Sequence, residues 1–195
     1  IIVLMVTNPV DILTNLAIKM FPKKKGQIFG SGTILDTARF RLILGEKMSV
    51  DPKSVHAYIV GEHGDSELPL WSTAMVGNTN IDNFYKLSKS NKKRIFDQAK
   101  NAAYAIIKGK QATYYAIAAG IVQLSRAVLF DKKTVFTVSH PLNGEFGIKD
   151  VSLSLPVVIG GRGVIRRINM EISAEEKRLL QASATKLKKA EQGLR

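Results

Sequence analysis

Asp36 and Arg39 lie three residues apart in Leu35-Asp36-Thr37-Ala38-Arg39-Phe40-Arg41, and His63 sits inside Gly61-Glu62-His63-Gly64-Asp65-Ser66. An imidazole, with an ordinary pKa of about 6.5, gives or takes a proton at neutral pH. A carboxylate beside it fixes the tautomer and favours the charged form. A guanidinium offers a planar fork that matches a carboxylate, which an ammonium does not reproduce. Together the three side chains could move a proton at a carbonyl or hydroxyl next to a carboxylate. Positioned proton transfer of this kind contributes about 10² to 10⁴ in rate. Each residue also has a plainer reading: His63 as a polar loop residue, Asp36 as an exposed helix charge, Arg39 as its surface ion-pair partner.

The elements that must carry these groups follow from pattern. A helix from about Thr33 to Lys47 places Asp36 and Arg39 on one face, with Ile34, Leu35, Ala38, Leu42 and Ile43 for packing. Ser54 to Val60 alternates as a strand and stops at Gly61, leaving His63 just past a strand end. Upstream, Ile1 to Val6 is continuously apolar, as in a strand buried on both faces. Asn8 is placed to cap a helix whose first position is Pro9, with Asp11 in its first turn. Lys23 to Gly26 forms a basic turn.

Downstream, Leu68 to Val76 is strand-like, and Lys89 to Lys108 is a long amphipathic helix interrupted at Gly109. A second helix, about Ala112 to Phe130, is more uniformly apolar and therefore expected to be more buried. Thr134 to Val138 and Val151 to Val158 are strands, joined through the turn-forming Pro141-Leu142-Asn143-Gly144, with His140 a structural residue there. Gly160 to Gly163 is a further turn before Val164 to Ile172. Ser173 to Glu176 is a capping box that opens a basic final helix. The pattern predicts an α+β body of long helices and antiparallel strands behind a strand-helix opening of parallel type.

Composition narrows the function class. A chain of 195 residues, 45% hydrophobic, has enough apolar residues for a core of ordinary size. With no cysteine it has no disulfide, thiolate nucleophile or thiolate metal site, which points towards a reducing cytoplasm. His56, His63 and His140 are dispersed, and none sits in a metal-binding helix motif, so no metal is expected. No apolar run reaches the length of a membrane span, and the first six residues lack the features of a signal peptide. The net charge of +13 comes from scattered lysines without aromatic interleaving. It reads as solvated surface that draws in anionic substrates rather than as a nucleic-acid footprint.

The chain resembles the C-terminal part of the NAD-dependent L-lactate dehydrogenases. The segments that carry the resemblance are Thr7-Asn8-Pro9-Val10-Asp11, Gly30 through Arg41, and Gly61 through Ser66. Ala112-Thr113-Tyr114-Tyr115 and Leu153-Ser154-Leu155-Pro156 add to it. The match runs in family order over essentially all 195 residues. It implies that residues 1–21 are the last strand and helix of a dinucleotide-binding domain, and that 22–195 are the catalytic domain. It further implies that His63 is the acid/base, that Asp36 orients it, and that Arg39 grips the substrate carboxylate. Asn8 would bond the reacting oxygen, Ser31 the nicotinamide carboxamide, and Thr113 would line the pocket near the small side chain. NAD is the implied cofactor, pyruvate and lactate the implied substrate pair, and a homotetramer the implied assembly.

Relatives activated by fructose 1,6-bisphosphate carry an arginine and a histidine where this chain has Arg41 and His56, so an effector site is implied there. The plainer reading makes Arg41 a surface charge and His56 a half-buried strand residue. No GxGxxG occurs in these 195 residues; Gly30-Ser31-Gly32 is a partial lookalike. The chain alone is therefore expected to bind NADH weakly and to turn over little. Malate dehydrogenases share the Asp, Arg and His roles, but more often show Gly-Gly-His-Gly-Asp than Gly61-Glu62-His63-Gly64-Asp65. A malate or other 2-hydroxy-acid dehydrogenase, and a non-catalytic assembly subunit, are the alternatives.

Overall fold

A long antiparallel hairpin organises the chain. Its strands are β8 (Thr134–Asn143) and β9 (Lys149–Gly160), paired from Thr134 with Ile159 to Asn143 with Lys149. The computed structural model describes residues 1–110 and 114–193, and the backbone alone at Lys25 and 103–110. Before the hairpin come β1 (Val3–Met5), α1 (Val10–Met20), β2 (Ile28–Gly30) and α2 (Ile34–Met48). Next follow β3 (Val55–His56), β4 (Ile59–Val60), β5 (Leu68–Pro69), β6 (Met75–Val76), β7 (Thr79–Asn80), α3 (Ile81–Phe84), α4 (Lys89–Lys110) and α5 (Tyr114–Leu129). After it come β10 (Gly163–Arg167) and α6 (Ala174–Gln192). The main sheet has the order β1-β2-β8-β9-β10, parallel between β1 and β2 and antiparallel elsewhere. The expected α+β architecture is present.

β9 is buried along Val151–Gly160, because helices cover both of its faces. Leu153 and Leu155 pack with Ile12 of α1 and with Leu180 and Leu187 of α6. Val157 and Ile159 pack with Leu124 of α5, Ile34 of α2 and Phe29 of β2. A separate cluster holds α2 from its far side: Phe40, Leu44 and Met48 meet Val55, Ile59 and Ile95. The buried residues Thr37, Phe40, Leu44 and Met48 recur at helical spacing, which fixes the rotation of α2 about its axis. Phe40 also meets the edge of Trp71, with ring centroids 5.0 Å apart. α6 begins with the expected capping box, Ser173 and Glu176 exchanging both bonds. None of the described helices is long and apolar enough to cross a membrane.

Several local expectations are corrected. The strand expected over Ile1–Val6 is only Val3–Met5, and it is not buried on both faces. It is an outer strand paired on one side with β2, and Val3 remains 39% exposed. Asn8 makes no capping bond; Pro9 occupies the cap position, so Asn8 lies one residue too early to reach the first-turn N–H groups. The Asn8-Pro9 peptide is cis. The strand expected over Ser54–Val60 splits into β3 and β4, which belong to different small sheets, and Leu68–Val76 splits likewise into β5 and β6. Pro141 to Asn143 belong to β8, and the reversal falls instead at Gly144 and Gly147, whose φ values of 129° and 78° suit glycine. α4 runs through Gly109 to Lys110. α5 is less buried than expected: it packs inward through Gly120, Leu124 and Ala127 while Tyr115 and Leu129 stay exposed.

Gly32 sets the turn into α2. Its φ is +52°, and a Cβ there would lie 2.3 Å from Ser154 Oγ and 2.5 Å from the Ser139 amide nitrogen. A side chain therefore meets both backbone strain and a fixed wall. Gly32→Ala is expected to cost about 2–4 kcal/mol, read from urea denaturation. A loss below about 0.5 kcal/mol, the range of ordinary surface changes, would show that the turn does not depend on this residue.

Candidate active site

α2 and the loop after β4 meet through a short relay of backbone and hydroxyl contacts. Thr33 Oγ1 donates to the Ile59 carbonyl at 2.6 Å, and the Ile59 N–H donates to Thr37 Oγ1 at 3.0 Å. Beyond β4, Gly61 exchanges two backbone bonds with Ser154 of β9, at 2.9 and 3.0 Å. Ser154 Oγ also accepts the Thr33 N–H at 3.0 Å. One residue of β9 thus fixes the entrances of both chemistry-bearing segments. The loop is then stapled to itself. Glu62 accepts from the Ser66 N–H at 3.1 Å and from the Ser66 hydroxyl, and Lys186 of α6 lies 3.1 Å from the same carboxylate. Burial alone would raise the Glu62 pKa, but these partners hold it below its ordinary value.

Within this frame Asp36, Arg39 and His63 come together as expected. His63 Nδ1 lies 2.7 Å from Asp36 Oδ2, across 27 positions of sequence. Arg39 donates from one terminal nitrogen to Asp36 Oδ1 at 3.1 Å. The bond at Nδ1 leaves Nε2 as the outer ring nitrogen, and the His63 side chain is 29% exposed. The two Asp36–Arg39 side chains are only 6% and 15% exposed, so this is no surface ion pair. Burial lowers the His63 pKa, but the hydrogen bond and charge of Asp36 outweigh it, with smaller help from Asp11 and Glu67. The net displacement is upward, towards a charged imidazole.

Two further carboxyls belong to the site. Asp11 Oδ2 accepts the backbone N–H of His63 at 2.7 Å, which ties α1 to the loop. Burial pushes its pKa up to about 6, against the lowering pull of the Ser139 hydroxyl and the His63 amide. Glu67 is 7% exposed, and its ligating oxygen, His63 and Asp36 gather within 4.8 Å of one another. Burial and the Asp36 charge push its pKa up to about 8. Such a trio could in principle grip a cation, but both Asp36 oxygens already serve His63 and Arg39, the arrangement of an acid-base set.

Asn8 and Ser31 lie just beyond the carboxyl ends of the parallel strands β1 and β2, where Met5 pairs with Gly30. Ser31 is buried and its N–H donates to the Met5 carbonyl at 2.8 Å, whereas Asn8 is exposed. The carboxyl ends of parallel strands are where α/β sheets receive ligands. Thr113 lies outside the described residues. Arg41 is tied to the segment that follows His56. Arg41 Nε donates to the carbonyl of Ala57, next to His56, at 2.9 Å, and its guanidinium covers the Tyr58 ring at 4.7 Å. His56 is exposed, rather than the half-buried strand residue of the plainer reading. Arg41 and Tyr58 also border an apolar cavity of about 260 Å³ with Leu35, Ala38 and Gly120. His140 is buried and lies 2.9 Å from the Arg167 guanidinium.

Sequence reasoning passed over Glu67 and Ser154, and saw in Asp11 only a helix-dipole charge. Glu67 left one trace: a carboxyl directly before the apolar run Leu68-Pro69-Leu70. Ser154 stood only within Leu153-Ser154-Leu155-Pro156, with no sign of its role, because that role depends on pairing across the fold.

Asp11, Glu67 and His63 all have folded-state pKa values above their ordinary ones. Through these three groups the folded chain binds more protons than the unfolded chain above about pH 4, and they make stability fall as pH rises. Asp11 acts between 3.8 and about 6, Glu67 between 4.5 and about 8, and His63 above 6.5. Glu62, Glu145 and Glu176 are displaced downward, so their stabilisation disappears below about pH 4.5. The thermal midpoint is expected to be highest near pH 4.5–5 and about 2–6 °C lower by pH 8.5. Glu67→Gln is expected to flatten the alkaline fall. A midpoint that rises steadily from pH 5 to 8.5 would contradict the assignment.

The lactate/malate dehydrogenase, alpha/beta C-terminal domain, matches residues 33–194. L-lactate dehydrogenase of Priestia megaterium is 44% identical over 191 residues, covering 96% of this chain and 60% of that protein. The Thermus aquaticus enzyme is 45% identical over 198 residues, covering 99% and 64%. The chain thus spans a little over three fifths of the length of these curated relatives. Among solved structures, a minor L-lactate dehydrogenase of Enterococcus mundtii superposes with a TM-score of 0.94 at 38% identity, covering 100% of this chain and 63% of that one. The Clostridium thermocellum L-lactate dehydrogenase gives 0.91 at 41% identity, covering 100% and 65%. With that sequence match over most of its length and that fold over all of it, the chain belongs to the lactate/malate dehydrogenase family.

Proposed function

We propose that the chain is the catalytic portion of a NAD-dependent L-lactate dehydrogenase, with residues 1–21 the end of its dinucleotide-binding domain and 22–195 its catalytic domain. The observation that carries this reading is the 2.7 Å contact between His63 and Asp36 with Arg39 on the other oxygen of the same carboxylate. NADH, when bound, supplies the hydride that goes to the carbonyl carbon of pyruvate. His63 holds a proton at Nε2 and releases it to the carbonyl oxygen, completing lactate and leaving a neutral ring. Asp36 keeps the ring in the tautomer that presents Nε2 outward, and its charge favours the imidazolium before transfer. Arg39 spends one donor on Asp36, and a guanidinium has five, so others remain to fork the substrate carboxylate.

Asn8 bonds the reacting oxygen and Ser31 the carboxamide end of the cofactor. Their position beyond the carboxyl ends of β1 and β2 suits those roles. The residues present fit the nicotinamide end alone, since the glycine-rich pyrophosphate turn does not occur among the 195 residues. Thr113, which lies outside the described residues, is assigned the contact with the substrate's small side chain by resemblance alone. Exposed apolar residues such as Leu42, Leu129 and Phe130 support burial against further copies, as in a homotetramer. The absence of cysteine suits a cytoplasmic setting. Arg41 and His56 form a site for fructose 1,6-bisphosphate; the bond from Arg41 to the carbonyl of Ala57, the residue after His56, supports this.

The test is pyruvate reduction by these residues joined to a glycine-rich nucleotide-binding half. His63→Asn is expected to lower kcat by about 10² to 10⁴. Arg39→Lys, which keeps the charge but loses the fork, is expected to raise KM for pyruvate at least about tenfold. Turnover unchanged by His63→Asn would refute the acid-base assignment. In the same assay, fructose 1,6-bisphosphate is expected to lower KM in the parent but not in Arg41→Gln. Equal activation of both would remove the effector site.

A further inference from the structure

Glu67 takes no part in the steps above, yet it is a buried carboxyl facing the acid-base pair. It is 7% exposed and gathers with His63 and Asp36 within 4.8 Å. Among the described residues no side-chain hydrogen bond holds its carboxyl. A buried carboxylate without a donor is costly as an anion and far less so as an acid. The charges around it come from three elements. α2 brings Asp36, which repels the anion, and Arg39, which attracts it; α4 brings Lys100; the loop itself brings His63. Lys100 is anchored on the Asp65 carbonyl at 2.8 Å, and Asp11 of α1 acts on His63 through its backbone N–H.

We propose that Glu67 and His63 form one titrating unit, in which the carboxyl surrenders a proton to solvent so that the imidazole can keep one. Each group's charge depends on the other's. While both are protonated, Glu67 is neutral beside the imidazolium. As pH rises, loss of the Glu67 proton creates an anion that holds the imidazolium. The remaining proton has two arrangements: imidazolium beside carboxylate, or neutral imidazole beside carboxylic acid. Glu67 thereby acts as a positioning residue for charge, extending to higher pH the range over which His63 can donate. That use in catalysis rests on the proposed acid-base role of His63; the shared titration rests on the gathering of Glu67, His63 and Asp36 within 4.8 Å and on the burial of the carboxyl. The two groups titrate with macroscopic steps that belong to the pair.

The test is a pH titration of the 195-residue chain by NMR, following the Glu67 side-chain carboxyl carbon and the ring nitrogens of all three histidines. Glu67 is expected to titrate near pH 8, far above an ordinary glutamate. It should show a second inflection where His63 changes charge. In Glu67→Gln the His63 midpoint is expected to fall by about 0.5–1 pH unit and collapse to one step. His56 and His140 should not move, and Glu67→Asp should restore part of the shift. Titration of Glu67 as an ordinary glutamate, or a His63 midpoint unmoved by Glu67→Gln, would overturn the proposal. If the variant fails to fold, the carboxyl titration of the unmodified chain decides. No step of this experiment needs turnover. Joint titration in a chain that reduces no pyruvate even when joined to a nucleotide-binding half would keep this inference and refute the proposed function, and independent titrations in a joined protein that works as a dehydrogenase would do the reverse.

Discussion

The arrangement of the candidate site depends on one side-chain contact made across 27 positions of chain, the bond between His63 Nδ1 and Asp36 Oδ2. Neither residue's own element secures it. α2 is set by the buried row Thr37, Phe40, Leu44 and Met48, and the His63 loop hangs from a two-residue strand. What brings them together is a third party, the β8–β9 hairpin, through the paired backbones of Ser154 and Gly61 and the Ser154 hydroxyl on Thr33. The hairpin is buried on both faces by α1, α6, α2 and α5, so its position is over-determined. A site hung on such a strand keeps its geometry even though His63 lies on a loop.

That contact also governs the electrostatics. Three carboxyls, Asp11, Asp36 and Glu67, surround His63, and one guanidinium joins them. Removing so many ionisable groups from water is costly unless they are paired or neutral. The site resolves this by division of roles. Asp36 takes both cationic partners, Asp11 takes a backbone N–H, and Glu67 is pushed towards its acid form. The imidazole is displaced towards its charged form and left partly exposed, as a group that exchanges a proton with a ligand must be. Stability is lost in the same region as pH rises, so the proton economy and the fold are linked.

Much of this was legible in the chain itself, and what was not has definite causes. Asp36 and Arg39 at helical spacing, His63 past a strand end, and the Ser173–Glu176 capping box are local signals, and the structure keeps all three. The α+β class followed from long helices alternating with strand patterns. Asn8 failed as a cap because Pro9 shifts the helix start by one residue. The run Ser54–Val60 was misread as a single strand because alternation says nothing about where a strand changes sheets, as this one does around Ala57 and Tyr58. The roles of Glu67, Asp11 and Ser154 were invisible for one common reason. Each acts on a residue at least four positions away, and for Asp11 and Ser154 the partners lie across the fold, at distances only tertiary packing sets.

The most direct measurement is the ring protonation of His63 in the parent chain and in Asp36→Asn, read from the imidazole nitrogen shifts across pH. The account predicts that the parent ring keeps a hydrogen-bonded Nδ1–H and titrates above the ordinary histidine value, and that the variant loses this displacement while His56 is unchanged. A His63 ring that titrates identically in both proteins would mean that the imidazole and the carboxylate do not meet, and the catalytic reading would fall with them.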